Sequence, residues 1–153
     1  VKRARRPAVE VHWTVGGRPL LTRDECVRLV TAALRRGRRA GGRISLVFVG
    51  DRALARLHAE RLGDPSPTDV ISFDLGSRGR EIEGELYISV ERAREIARVG
   101  RLSARRELAL YVVHGCLHLA GHDDRSPVQR RRMIAAEQAV LAPLGFAHAV
   151  ART

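Results

Sequence analysis

The sequence predicts an α+β fold: a single domain in which helices pack on a small mixed β-sheet, with a metal-binding helix in the C-terminal half. Three observations carry this. Short β-type runs interleave with amphipathic helical runs along the chain, so strands and helices must share a core. The connections between them are too irregular for a doubly wound sheet. Finally, 153 residues with 44% hydrophobic content can build one core, and no linker, repeat or low-complexity segment divides the chain. Residues 1–153 are therefore expected to form one domain.

The elements follow in order. "PAVEVHWTV", residues 7–15, alternates apolar and polar positions and reads as a first strand. "TRDECVRLVTAALRRG", residues 22–37, reads as a helix opened by a capping box of Thr22 with Glu25 and closed by Gly37. Its apolar stripe of Cys26, Leu29, Val30, Ala33 and Leu34 has the helical period. "RISLVFVG", residues 43–50, is a buried strand, and Asp51 is expected to cap a short helix running to Leu62. "GDPSPTD" is a turn, "VISFDL" a strand, "SRGREIEG" a polar loop and "ELYISV" another strand. A helix from about Val90 to Val99 is ended by Gly100. Ser103 caps the next helix, which carries "ELALYVVHGCLHLA". Ser126-Pro127 with Gln129 opens a last helix that must stop before Pro143.

Charge narrows the partners. Lys and Arg total 28 against 17 acids, a net charge of +11. Such a field attracts polyanions, of which nucleic acid is the commonest in a cytosol. Lys2 is the only lysine. A compositional bias toward arginine explains that choice, but not the excess of base over acid. No apolar run approaches the ~20 residues that span a bilayer, so no membrane partner is expected. The basic N-terminus lacks the apolar segment of a secretory signal. Cys26 and Cys116 lie in apolar helical patterns without a partner at CxxC or zinc-ribbon spacing. They read as reduced, buried thiols, which fits a cytoplasmic protein.

The stretch with chemistry is "HGCLHLAGHDD", residues 114–124. His114 and His118 stand four apart, so on a helix both rings project from one face and can reach one ion. Gly121 is suited to the left-handed conformation that ends a helix, and the returning chain can then carry Asp124 toward the two rings. His122 is the rival third ligand. On an unbroken helix, His114 and His122 would lie ~12 Å apart by helical rise, too spread for three rings in a row to close on one ion. The ligand spacing is that of the metzincin pattern with Asp in place of the third His, and a carboxylate is an acceptable zinc ligand. Two imidazoles and a carboxylate suit one zinc per chain and leave a position open. A peptidase reading fails at Gly115, which stands where those enzymes place a glutamate base.

With these residues in view, the sequence resembles the YbeY family of bacterial rRNA-maturation endoribonucleases. "HGCLHLAGHDD" is similar to the family's HGxLHLxGxDH signature. "PTDVISF" at 67–73 and "GELYIS" at 84–89 match further family stretches in the same order. The resemblance implies a single-domain α+β fold, a zinc ion on three protein ligands, and cleavage of single-stranded RNA rather than DNA. It also implies work on rRNA of the small ribosomal subunit, at its 3′ end, and in ribosome quality control. His114 is then catalytic as well as a ligand. Two positions depart from the family: Asp124 replaces the usual third His, and Leu62 falls where members commonly carry an arginine. Arg61, one position away, is expected to take that arginine's catalytic role.

Thr68 and Asp69 sit at a turn-to-strand junction, where they either bond the local backbone or line the cleft. Ser72 reads as structural. "RRGRRAGGR", residues 35–43, and the run Arg130, Arg131, Arg132 read as solvated surface first and RNA-steering surface second. Trp13, Tyr87 and Tyr111 are too scattered for a base-stacking platform. The alternative function is a non-catalytic, RNA-binding ribosome-assembly factor with a structural metal, favoured by the missing base at Gly115 and by Leu62 at the family's arginine position.

Overall fold

The computed structural model of the chain describes residues 5–63 and 68–147. Four strands form one mixed sheet in the order β1-β2-β4-β3. β1 (Ala8–Trp13) runs parallel to β2 (Gly42–Val49), and β2 runs parallel to β4 (Ile82–Ser89). β3 (Val70–Asp74) closes the edge antiparallel to β4. Five helices accompany the sheet: α1 (Arg23–Arg36), α2 (Asp51–Leu62), α3 (Val90–Gly100), α4 (Ala104–Leu119) and α5 (Pro127–Leu141). The expected α+β domain with a small mixed sheet is what forms.

Local chemistry sets most boundaries. The capping box at Thr22 and Glu25 is closed in both directions, at 3.1 and 2.9 Å. Ser126 and Gln129 make a second box, at 3.1 and 3.0 Å, and Ser103 caps α4. α5 stops at Leu141, and Pro143 lies in the 3-10 turn Ala142–Leu144 that follows. The turn expected over 63–69 lies largely outside the described residues.

Helix α4 is the centre of the molecule. It touches α1, α3, α5, β3 and β4, and every residue from Glu107 to Val113 is buried. An all-round apolar sequence is what a helix walled on every side requires. Two glycines set how near it lies to the sheet. A Cβ on Gly115 would stand 2.9 Å from Leu86 Cδ2 and 3.1 Å from Val70 Cγ2. One on Gly84 would stand 2.7 Å from Leu119 Cδ1. Gly115 is thus a packing residue, which is why no side chain stands beside the first histidine. Gly115→Val is expected to lower unfolding free energy by ~1–3 kcal/mol, the usual range for overpacking a core, as read by denaturant titration.

Three local expectations are corrected. Gly50, not Asp51, is the N-cap of α2. Asp51 is the first helical residue; its amide donates to Glu91 Oε1 at 2.9 Å, and its carboxylate accepts from Ser89 Oγ at 2.6 Å. The helix start is therefore tied to the β4–α3 junction rather than capped by itself. β4 begins at Ile82, inside the stretch expected as a polar loop, because Gly84 serves the contact with Leu119 and does not break the strand. The left-handed residue after α3 is Arg101 (φ 54°), with Gly100 still helical. Gly37 closes α1 as its C-cap, as expected, with φ −82°, and the left-handed residue is Arg38 (φ 61°). Gly37 is also needed for space, since its Cβ would fall 2.4 Å from Ala120 Cβ.

Cys26 and Cys116 are both unpaired and buried. Burial, reinforced by the Glu25 charge, pushes the Cys26 thiol up to about 12. Burial also raises that of Cys116. Neither is a nucleophile in the folded chain. Among the described residues, no helix is long and apolar enough to cross a membrane.

Candidate metal centre

The last two turns of α4 present His114 and His118 on one face, with ring centroids 4.5 Å apart. Their Nε2 atoms are 3.0 Å apart. The helix then ends, as the glycine predicts. Gly121 takes φ +106°, its amide donates to His118 O, and that of His122 donates to Leu117 O at 2.9 Å. These two bonds fold the chain back across the helix end. Asp124 Oδ2 arrives 3.6 Å from His114 Nε2 and 3.5 Å from His118 Nε2.

The three ligand-type atoms lie within 4.8 Å of one another, and this group can hold a metal ion. The spacing is informative. Tetrahedral bonds of about 2.0–2.1 Å place neighbouring ligand atoms about 3.3 Å apart, and the observed separations of 3.0, 3.5 and 3.6 Å bracket that edge. Nitrogen and oxygen donors in this arrangement fit a zinc-like ion with one position free.

Glu137, absent from the sequence reading, fixes the first ring. Its Oε2 lies 2.8 Å from His114 Nδ1, and its side chain is only 2% exposed, on the apolar face of α5. A carboxylate there holds the proton on Nδ1 and leaves Nε2 free as a ligand, as second partners of metal-binding histidines generally do. Burial pulls the His114 pKa down, but the Glu137 bond and charge, with Asp69 and Asp124, outweigh it and leave the pKa raised. His114 therefore keeps a proton to higher pH than a free imidazole. A ligand ring must be neutral, so metal uptake releases that proton and weakens as pH falls. The signal for Glu137 was present in the sequence: an acid standing among Met133, Ala136 and Val140 on a helix face that is otherwise apolar.

The group opens into a cleft of about 640 Å³. Its other walls include Thr68, Asp69 and Ser72 beside or on β3, His58 and Leu62 of α2, and Arg125 after the turn. Thr68 Oγ1 donates to Val70 O at 3.3 Å, a local bond, while the residue still lines the cleft. Ser72 Oγ donates to Gly115 O at 3.2 Å, fastening β3 to α4. Leu62 lines the cleft, whereas Arg61 is exposed and lies outside the lining. The guanidinium that does line it is that of Arg125, 3.5 Å from Asp123 Oδ2. His122 is not part of the metal group. It lines a second cavity with Asp123, Gln129 and Arg132. His58 and Arg125 were missed because a lone residue on a polar helix or turn carries no periodic signal.

Comparison with known proteins agrees with this picture. The family model described as Endoribonuclease YbeY matches residues 21–145. The Endoribonuclease YbeY of Chlorobium luteolum is 43% identical over 101 residues, covering 66% of this chain and 73% of that protein. That of Chloroherpeton thalassium is 42% identical over 101 residues, covering 66% and 71%. The solution structure of TM1509 from Thermotoga maritima superposes with a TM-score of 0.60 at 21% identity, covering 94% of this chain and 99% of that one, and so shares the fold. The chain belongs to the YbeY family of endoribonucleases.

Proposed function

We propose that this chain is a zinc-dependent endoribonuclease that cuts single-stranded RNA. Its substrate is rRNA of the small ribosomal subunit, at the 3′ end and in quality control, and it works in the cytoplasm. One observation carries the reading: two Nε2 atoms and a carboxylate oxygen at tetrahedral spacing, opening into a cleft, in a member of this family.

His114, His118 and Asp124 hold one zinc per chain. When bound, the ion supplies Lewis acidity and positive charge toward a phosphodiester. The remaining work belongs to the chain. Glu137 keeps His114 in its ligand tautomer. Among the side chains lining the cleft outside the ligand set, Asp69, Asp74 and His58 are those that can accept or return a proton. Arg125, with Arg61 at the end of α2, holds the phosphate backbone, a contact largely independent of sequence. The alternative, a non-catalytic assembly factor, draws on the missing base at Gly115 and on Leu62, which lines the cleft where the family commonly has an arginine. Packing against Leu86 and Val70 accounts for that glycine, and titratable groups line the opposite wall.

The test is cleavage of a labelled single-stranded RNA with added zinc, using His114→Ala as control. Zinc-dependent internal cuts that disappear in the control are expected. Stoichiometric zinc with no cleavage would favour the assembly-factor reading. Because the net charge is +11, RNA affinity is expected to fall steeply between low and moderate salt. A flat titration would remove the basic surface as the RNA interface.

A further inference from the structure

The two basic runs of the sequence, at 35–39 and 130–132, are far apart along the chain but meet in the fold. The end of α1 sits directly on the end of α4, where a Cβ on Gly37 would fall 2.4 Å from Ala120 Cβ. This brings Arg36, the last residue of α1, to the end of α4 where His122 follows. From the other side, α5 brings Arg132 to the same place. There Ala120, Gly121, His122, Asp123, Gln129 and Arg132 enclose a second cavity of about 340 Å³.

Arg36 and Arg132 are both exposed, and among the described residues neither takes part in an ion pair or side-chain hydrogen bond. The single acid of the cavity, Asp123, is already engaged. Its Oδ1 accepts from the Asp124 amide at 2.8 Å, and its Oδ2 lies 3.5 Å from Arg125 Nε. What remains is a concave site lined by the unpaired guanidinium of Arg132, an imidazole and an amide side chain, with Arg36 beside it at the end of α1. Arginine forks match the oxygens of a phosphate, which makes phosphate the anion that this set takes best.

The site's position says which phosphate. The same short turn gives Asp124 to the metal cleft and His122 to the second cavity, so the two pockets flank one strip of backbone. We infer that the second cavity, with Arg36, His122 and Arg132, is a subsite for a backbone phosphate of the RNA whose scissile bond lies in the metal cleft. The inference rests on the endoribonuclease reading and extends it. A strand leaving the cleft crosses the 120–124 turn and is held on its far side, away from the reacting atoms. The subsite thus favours a substrate long enough to span both pockets.

Arg36→Gln, Arg132→Gln and the double variant, each with zinc bound, test this by their affinity for labelled single-stranded RNA over a range of salt concentrations. Arg94→Gln, which removes an equal charge from the exposed side of α3, is the control. Each lost phosphate contact should reduce the log–log salt slope by about 0.7. The double variant should therefore lose about 1.4 and bind about tenfold or more weakly at low salt, while Arg94→Gln keeps the wild-type slope. An unchanged slope in the double variant, with the wild type still binding and cutting RNA, would overturn the subsite and leave the proposed activity standing. An equal loss of slope in Arg94→Gln would also overturn it, because the effect would then be diffuse charge. Wild-type protein that binds zinc but neither binds nor cuts RNA would overturn the proposed function itself, and the subsite with it.

Discussion

Replacing both His114 and His118 with alanine is expected to remove bound zinc and RNA cleavage together, with the rate falling by about a thousandfold or more. The magnitude follows from what a bound ion contributes. Charge stabilisation at a phosphoryl group is worth several kcal/mol, and each 1.36 kcal/mol is a factor of ten. Elemental analysis and an RNA cleavage assay on the same preparation read the two losses. The single variants should differ in a way that separates ligand loss from damage to the fold. His114→Ala leaves the buried Glu137 carboxylate without its 2.8 Å partner, and an orphaned buried acid destabilises the protein by itself. His118 is more exposed, at 30%, and no buried carboxylate depends on it among the described residues. His118→Ala should therefore lose metal while melting near the wild type. Glu137→Gln should fall between, keeping the ligands but losing about 10- to 100-fold in metal affinity, as removal of a ligand's supporting partner does. Full zinc occupancy in the double variant would place the metal elsewhere.

The contrast between Glu137 and the three ligands marks what could be read from sequence. His114, His118 and Asp124 fall within eleven residues, and the helix period, the glycine break and the return of the chain are local geometry. The same holds for the caps at Thr22, Ser103 and Ser126, each made with a residue three positions on. Glu137 reaches His114 across 23 residues, and nothing local announces that α5 will lie against α4. The glycines teach the same lesson in reverse. Helix spacing makes Gly37 and Gly100 chain ends. Gly37 does cap α1 but is also where Ala120 comes close, Gly84 lies inside β4 where Leu119 comes close, and Gly100 is the last residue of α3, with Arg101 as the cap. Strand order is equally non-local. The parallel pairing of β1 with β2 and of β2 with β4 joins strands far apart in the chain, whereas β3 and β4, joined by residues 75–81, pair antiparallel as sequence neighbours do.

Asp124→Asn and Asp124→His are expected to act in opposite directions. The amide keeps the shape but loses the charge that draws a cation, so metal affinity should fall strongly. The imidazole restores a neutral nitrogen donor of the kind the family usually has at this position. Room for the larger ring exists on the solvent side, because the Asp124 side chain is 38% exposed at the cleft edge. Zinc retention in Asp124→His should therefore survive, by elemental analysis. A neutral third ligand also leaves the ion more positive, which lowers the pKa of water held by it. The pH–activity profile of Asp124→His should move toward lower pH than that of the unaltered chain. His122→Ala supplies the internal comparison: its ring lines the second cavity rather than the metal group, so zinc content should hold while RNA affinity falls. Zinc lost from His122→Ala and kept in Asp124→Asn would reverse the ligand assignment. The ring would then have to swing back across the turn that Gly121 makes, which the bonds from the Gly121 and His122 amides to His118 and Leu117 oppose.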